Sequence, residues 1–255
     1  MENNLWIAPF NRNPYARIRL FCLPYAGGGA SIFRSWSSSL PASVEVCPIQ
    51  LPGRETRHRE QPFVCLHRLV ESLTDGFSPW LDKPFGFFGH SLGGIVSFEL
   101  SCRLVERFGI EPIHLFVSGC EAPQIPRIKP ITYDLPDREF IMELRRLNGI
   151  PKEVWEQPEL LQLILPTLRA DFAVIQNYVY HPRPKLDCPI TAFGGMEDEE
   201  VRLDQIKAWS RQSVSSFKMH LLPGNHFFLH FSQPLLLQLL SEELLKISAA
   251  TKIQS

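Results

Sequence analysis

The sequence predicts an α/β protein: a mostly parallel sheet flanked by helices, with a helical lid inserted between two strands. Three observations predict it. Short apolar runs alternate with longer segments of helical period, the pattern of strand–helix–strand units. Several runs are apolar on consecutive residues, as a strand covered on both faces requires. One stretch, Glu121–Pro184, carries helical patterns and no strand.

Strands are expected at Ile18–Leu23 (IRLFCL), Val44–Ile49, Phe85–Phe88, Ile113–Ser118, Pro189–Phe193 and Phe217–Leu222. Helices are expected at Ser31–Leu40, Leu66–Trp80, Ser91–Phe108 and Leu203–Ser213. A last helix covers Gln233–Ile247, with Ser232 as its N-cap and Pro234 in its first turn. The insertion opens with Pro123, Pro126, Pro130 and Pro136, holds helical patterns at Asp137–Leu147 and Glu159–Tyr180, and closes with Pro182 and Pro184. Extra helical packing would explain it; a cap over the ligand-binding edge of the sheet explains it better. The tail Ser248–Ser255 is expected to be loose.

Composition narrows the function classes. The 255 residues are 44% hydrophobic and 21% charged, ordinary globular usage that one α/β domain over 1–255 accommodates. The balance of 26 Lys plus Arg against 27 Asp plus Glu offers no basic excess for a nucleic acid. No apolar run approaches the ~18–20 residues that span a bilayer. Met1–Phe10 (MENNLWIAPF) lacks the basic flank and apolar stretch of a signal peptide, so a soluble, cytoplasmic protein is expected. The six cysteines form no C-x-x-C pair, and Cys22, Cys47 and Cys120 fall in apolar runs, so reduced, structural thiols are expected.

The strongest chemical signal is Phe85–Gly94, FGFFGHSLGG. Its G-x-S-x-G directly follows an apolar strand and directly precedes a helical pattern, the context of a nucleophile elbow, in which a sharp turn lifts the Ser91 hydroxyl above the sheet. A nucleophilic serine needs a base and an orienter, in the chain order Ser, acid, His. His226 stands in LPGNHFF, a turn after the last strand, and is the expected base; His230, four residues on, is the alternative. The pair raises a metal site, but no third ligand and no H-E-x-x-H accompany it. For the acid, GGMEDEE after the fifth strand places Asp198 at the G-x-x-D position of many α/β-hydrolases, with Glu197, Glu199 and Glu121 as alternatives. The oxyanion hole is expected from the backbone N–H groups of Leu92 and of Ala26, in the loop LPYAGGGA. That loop lacks G-x-G-x-x-G and the residues of a P-loop, so it does not read as a nucleotide site.

With these residues in place, the sequence resembles the type II thioesterases, stand-alone enzymes that accompany polyketide synthases and nonribosomal peptide synthetases. LFCLPYAGGGAS (Leu20–Ser31), QLPGRETR (Gln50–Arg57), FGFFGHSLGG, GGMEDEEV (Gly194–Val201) and LPGNHFFL (Leu222–Leu229) carry the resemblance over nearly the whole chain. The acidic loop departs from it, keeping the Asp but not the Pro of the D-P pair in many relatives. The resemblance implies an α/β-hydrolase fold, a helical lid, and hydrolysis of acyl thioesters on the phosphopantetheine arm of an acyl or peptidyl carrier protein. No metal or nucleotide cofactor is expected, since the substrate carries the phosphopantetheine; a monomer is expected. The remaining readings are a carboxylesterase or lipase on the same triad, and a catalytically silent carrier-binding protein. In the lid, Leu161, Ile164, Leu165, Leu168 and Phe172 are expected to line the acyl channel. Arg127, Lys129, Arg138, Arg145 and Arg146 are candidate contacts for an acidic carrier.

Overall fold

A computed structural model of the chain describes residues 5–9, 12–150 and 152–251. Six strands form one parallel sheet: β1 (Ile18–Leu23), β2 (Val44–Pro48), β3 (Phe85–His90), β4 (His114–Ser118), β5 (Ile190–Gly195) and β6 (Phe217–Leu222). Their order across the sheet is β2-β1-β3-β4-β5-β6, every neighbouring pair parallel.

The consecutive apolar residues have the expected cause. Along β1, Phe21 and Leu23 belong to the core on one face, while Leu20 and Cys22 belong to the core on the other. β4 repeats the alternation, with Leu115 and Val117 on the first face and Phe116 on the second. The first face is covered by α1 (Leu66–Phe77) and α2 (Leu92–Phe108), which pack Leu73, Phe77, Val96 and Phe98 against it. The second is covered by Trp36, by the short α7 (Phe228–Phe231) and by α8 (Gln233–Thr251). All six cysteines are free; five are buried, and Cys65, before α1, is exposed.

Several elements differ from expectation. Ser31–Leu40 forms two short 3-10 turns, Ala30–Phe33 and Trp36–Ser38, in place of a helix. Ser38 Oγ donates to the Ser35 carbonyl at 2.7 Å, a local bond that competes with a helical ladder. The Leu66–Trp80 helix passes into a 3-10 turn after Phe77, and α6 (Leu203–Lys207) does so after Lys207. Ser232 does not cap α8 with its side chain: its hydroxyl donates to the Pro223 carbonyl at 2.7 Å. The tail is helical through Thr251, with Ser248 buried; residues 252–255 lie outside the described residues, as do 1–4 and 10 of the N-terminal stretch.

Among the described residues between β4 and β5 there are three helices and no strand: α3 (Asp137–Leu147), α4 (Lys152–Trp155) and α5 (Pro158–Gln176). This insertion has its own small core, Phe140, Leu144, Ile150, Leu161 and Leu165 among its members. The chain runs from β1 outward to β2, then crosses back to β3 on the other side of β1. The carboxyl ends of β1 and β3 therefore flank a topological switch point, where open α/β sheets bind ligands.

Candidate active site

The sharp turn after β3 is built as the motif requires. Ser91 sits at φ 53° and ψ −115°, a conformation that L residues avoid. Its N–H donates to the Ser118 carbonyl at 2.8 Å, and its carbonyl accepts from the Gly94 N–H at 2.9 Å. A Cβ at Gly93 would lie 2.2 Å from the Leu23 carbonyl oxygen, and one at Gly89 would lie 2.1 Å from that of Gly93. Only glycine lets these three backbone segments meet. The Leu92 N–H, at the first residue of α2, has no intrahelical acceptor.

Asp198 and His226 arrive from the ends of β5 and β6. The two loops are tied together by the Glu197 N–H donating to the Gly224 carbonyl at 3.0 Å. His226 Nδ1–H donates to Asp198 Oδ2 at 2.9 Å, and Asp198 Oδ1 accepts from the backbone N–H groups of Glu200 at 2.8 Å and Val201 at 3.1 Å. This leaves His226 Nε2 as the ring's free acceptor. The Asp198 side chain is 0% exposed, whereas Glu197 and Glu199 are exposed, so among these neighbours Asp198 is the one turned inward. Glu121 accepts instead from Gln205 Nε2 at 2.9 Å. His230 is engaged elsewhere, Tyr25 Oη lying 2.9 Å from its Nε2. Among the described residues no cluster of three or more His, Cys, Asp or Glu could hold a metal.

His90, beside Ser91, escaped the sequence reading. It is fully buried, and burial pushes its imidazole well below the ordinary 6.5. A neutral ring has one donor and one acceptor. Nε2–H donates to the His226 carbonyl at 3.0 Å, and Nδ1 accepts from Ser118 Oγ at 2.8 Å. The signal was its position next to Ser91, under the turn, where a side chain has only protein to bond with.

Ser91, Leu92, Ala26 and His226 all line one cavity of about 610 Å³ between the sheet edge and the insertion. Of the expected lid residues, Leu168 and Phe172 line it, together with Ile175. Leu161, Ile164 and Leu165 do not: they pack in or against the insertion's own core with Phe140, Leu144 and Ile150. The division falls at Pro166, which removes one helical N–H from the middle of α5. The second half is shared between that core and the cavity: Leu168 also belongs to the core, and the Phe172 ring meets Phe140 of α3 at 5.4 Å, so both residues bridge the core and the cavity wall. Ile125, Ile131, Leu144 and Ile150 complete much of the apolar wall.

The basic residues of the insertion are mostly engaged. Lys129 Nζ and Arg146 Nη1 each lie 2.7 Å from a Glu200 carboxylate oxygen. Burial alone would raise the Glu200 carboxyl, but the Arg146 and Lys129 hydrogen bonds outweigh it and bring it to about 2. These contacts anchor the loop whose backbone N–H groups hold Asp198. Arg127 is half-buried in the cavity wall. Arg138 and Arg145 remain exposed.

A strained serine on a strand–turn–helix, over a parallel sheet and sharing one cavity with the histidine of an Asp–His pair, defines an α/β-hydrolase. The comparisons agree. The thioesterase domain family profile matches residues 18–243, and the chain belongs to that family. It is 44% identical over 250 residues to the gramicidin S biosynthesis protein GrsT of Aneurinibacillus migulanus, covering 98% of this chain and 97% of that one. Among solved structures it is similar to RedJ, a thioesterase from the prodiginine biosynthetic pathway in Streptomyces coelicolor (38% identity, TM-score 0.83, 89% of this chain and 86% of that one). It is also similar to the type II thioesterase BorB from the borrelidin biosynthetic cluster (34% identity, TM-score 0.86, 94% and 98%). No helix among the described residues is long and apolar enough to cross a membrane.

The buried histidines set an acid limit on stability. Burial lowers His114 to about 4; its Nε2 lies 2.9 Å from Thr191 Oγ1 and its Nδ1 is buried with no partner. The unfolded chain binds a proton at each such histidine below the ordinary 6.5 while the folded chain does not, so stability is present above that pH and falls as the pH drops below it. Between pH 7 and 5 the loss should be roughly 2 kcal/mol from His114 alone. His90 adds to it, and Glu121, whose carboxyl burial raises, opposes it in part. Urea unfolding at the two pH values measures the difference. A His114→Phe variant, which keeps the ring stacked on Phe116, should lose about the His114 share.

Proposed function

We propose that this chain is a serine thioesterase acting in trans, which hydrolyses acyl thioesters from the phosphopantetheine arm of acyl or peptidyl carrier proteins. It thereby edits or releases acyl chains in polyketide or nonribosomal peptide biosynthesis. The observation that carries the proposal is the Asp198–His226 pair facing, with Ser91, an apolar cavity in a chain of the thioesterase family.

Ser91 Oγ attacks the thioester carbonyl while His226 Nε2 takes its proton. Asp198, held by two backbone N–H groups, keeps the proton of the imidazole on Nδ1. The N–H groups of Ala26 and Leu92 meet the oxyanion. The thiol leaves readily, its pKa being about 8.5, and takes back the proton from His226. Water, deprotonated by His226, then attacks the acyl-serine and releases the free acid. No step draws on a metal or nucleotide, and the working unit is a monomer. The insertion is the lid: Leu168, Phe172 and Ile175 contact the acyl chain. The exposed Arg138 and Arg145 are the docking contacts for an acidic carrier.

Ser91→Ala should lower kcat by ~10³–10⁶-fold and leave the unfolding midpoint near wild type. Asp198→Asn should lower it by as much as ~10⁴-fold, and Glu197→Gln and Glu199→Gln should have minor effects, all measured on an acyl-N-acetylcysteamine thioester. Wild-type turnover by Ser91→Ala would refute the mechanism. Equal turnover of simple oxygen esters and carrier thioesters would favour a carboxylesterase.

Docking by charge is screened by salt and acts mainly on the on-rate. Raising salt to ~0.5 M should therefore lower kcat/KM for an acyl-carrier substrate steeply and leave the small thioester nearly unchanged. Identical salt profiles would remove Arg138 and Arg145 from the account.

A further inference from the structure

The glycine-rich turn after β1 is held by the lid helix. The Gly27 N–H donates to Asp171 Oδ2 of α5 at 2.7 Å. Asp171 also takes both arms of Arg54, Nη1 to Oδ2 at 2.6 Å and Nη2 to Oδ1 at 2.7 Å. Arg54 Nη1 donates further to the Gly28 carbonyl at 3.1 Å. Arg54 is 7% exposed and Asp171 3%, so the pair is out of water, where removing one partner strands a charge. Asp171 stands among Leu168, Phe172 and Ile175, on the apolar side of its helix, a place a carboxylate occupies only with partners.

These bonds converge on Ala26. The carbonyl of the Tyr25–Ala26 peptide accepts from the Gly28 N–H at 2.9 Å. That peptide is trans and planar, so the Ala26 N–H points the opposite way. The next peptide, Ala26–Gly27, is pinned by Asp171 through the Gly27 N–H. Both planes flanking Ala26 are thus fixed, one within the turn and one from α5. The approach is close: a Cβ at Gly27, where φ is +78°, would lie 2.5 Å from Leu168 Cδ2. The helix that pins this turn also walls the acyl cavity with Leu168 and Phe172.

We infer that Asp171, locked by Arg54, is a positioning residue through which the seated lid helix sets the Ala26 N–H of the oxyanion hole. The inference rests on the serine-hydrolase reading of Ser91 and Ala26. It implies that a displaced lid loosens transition-state stabilisation as well as acyl binding. A latch that merely held the lid shut would affect substrate and transition state alike.

The test compares ligands that do and do not need the oxyanion hole. Octaneboronic acid forms a tetrahedral adduct on Ser91 that places an oxygen there; octanoic acid fills the acyl cavity without an adduct. In Asp171→Asn, kcat on octanoyl-N-acetylcysteamine should fall by ~10²-fold with KM within about twofold. Boronate affinity should fall by a comparable factor and octanoate affinity should hold. Arg54→Met/Asp171→Leu removes both charges together, leaves no stranded ion and should melt near wild type with the same losses. Equal loss of boronate and octanoate affinity, or kcat within about twofold of wild type in both variants, would overturn the inference. A wild-type protein that binds the boronate at Ser91 yet cleaves no thioester would refute the thioesterase reading, and the boronate comparison would still decide the role of Asp171.

Discussion

The turn at Ser91 exists because three backbone segments meet where no side chain fits. The Leu23 carbonyl presses on Gly93, the Gly93 carbonyl presses on Gly89, and Ser91 is left at positive φ between them. Such strain persists only where the surroundings over-determine it. Here the surroundings are β1, β3 and β4, buried on both faces and in register, with the Ser91 N–H closed onto Ser118 at the end of β4. The same compression brings the ends of β1 and β3 together, so that the glycine-rich turn and the first turn of α2 face one point.

The remaining parts of the site are held by bonds to backbone. Asp198 is fixed by N–H groups of its own loop, and that loop is anchored through Glu200 to Lys129 and Arg146 of the insertion. His226 is fixed on its ring by Asp198 and at its carbonyl by His90. The insertion therefore reaches the site at two places, through Glu200 on one side and through Asp171 on the other.

Much of this was legible in the sequence. The strands were, because two-sided burial writes consecutive apolar residues into β1 and β4. The elbow was, because its glycines, its strand and its helix occur together. The apolar stripe of α5 was visible, but which of its residues reach the cavity was not: packing in the insertion's core and lining a cavity both ask for Leu or Ile, and Leu168 and Phe172 do both while Leu161 and Leu165 do only the first. The 3-10 turns at Ala30–Phe33 and Trp36–Ser38 carried apolar residues at helical spacing, while Ser38 acts through a side-chain bond that periodicity does not register. Spacing favoured Asp198 over Glu197 and Glu199 without excluding them; burial and the bond to His226 set Asp198 apart. The pairings of Lys129 and Arg146 with Glu200 span long sequence separations, so those cations read as free when they are engaged. Asp171 left a signal that went unread, a lone carboxylate on an apolar helix face.

The central claim is that the acyl group passes through Ser91. Mixing the protein with an acyl-phosphopantetheinyl carrier, quenching within milliseconds and weighing the intact chain and its peptides tests it directly. The account predicts a transient mass increase equal to the acyl group, confined to the peptide containing Ser91, that decays as free acid and deacylated carrier appear. Carrier deacylation with no acyl mass on Ser91 at any time, or with the acyl group on another residue, would contradict it.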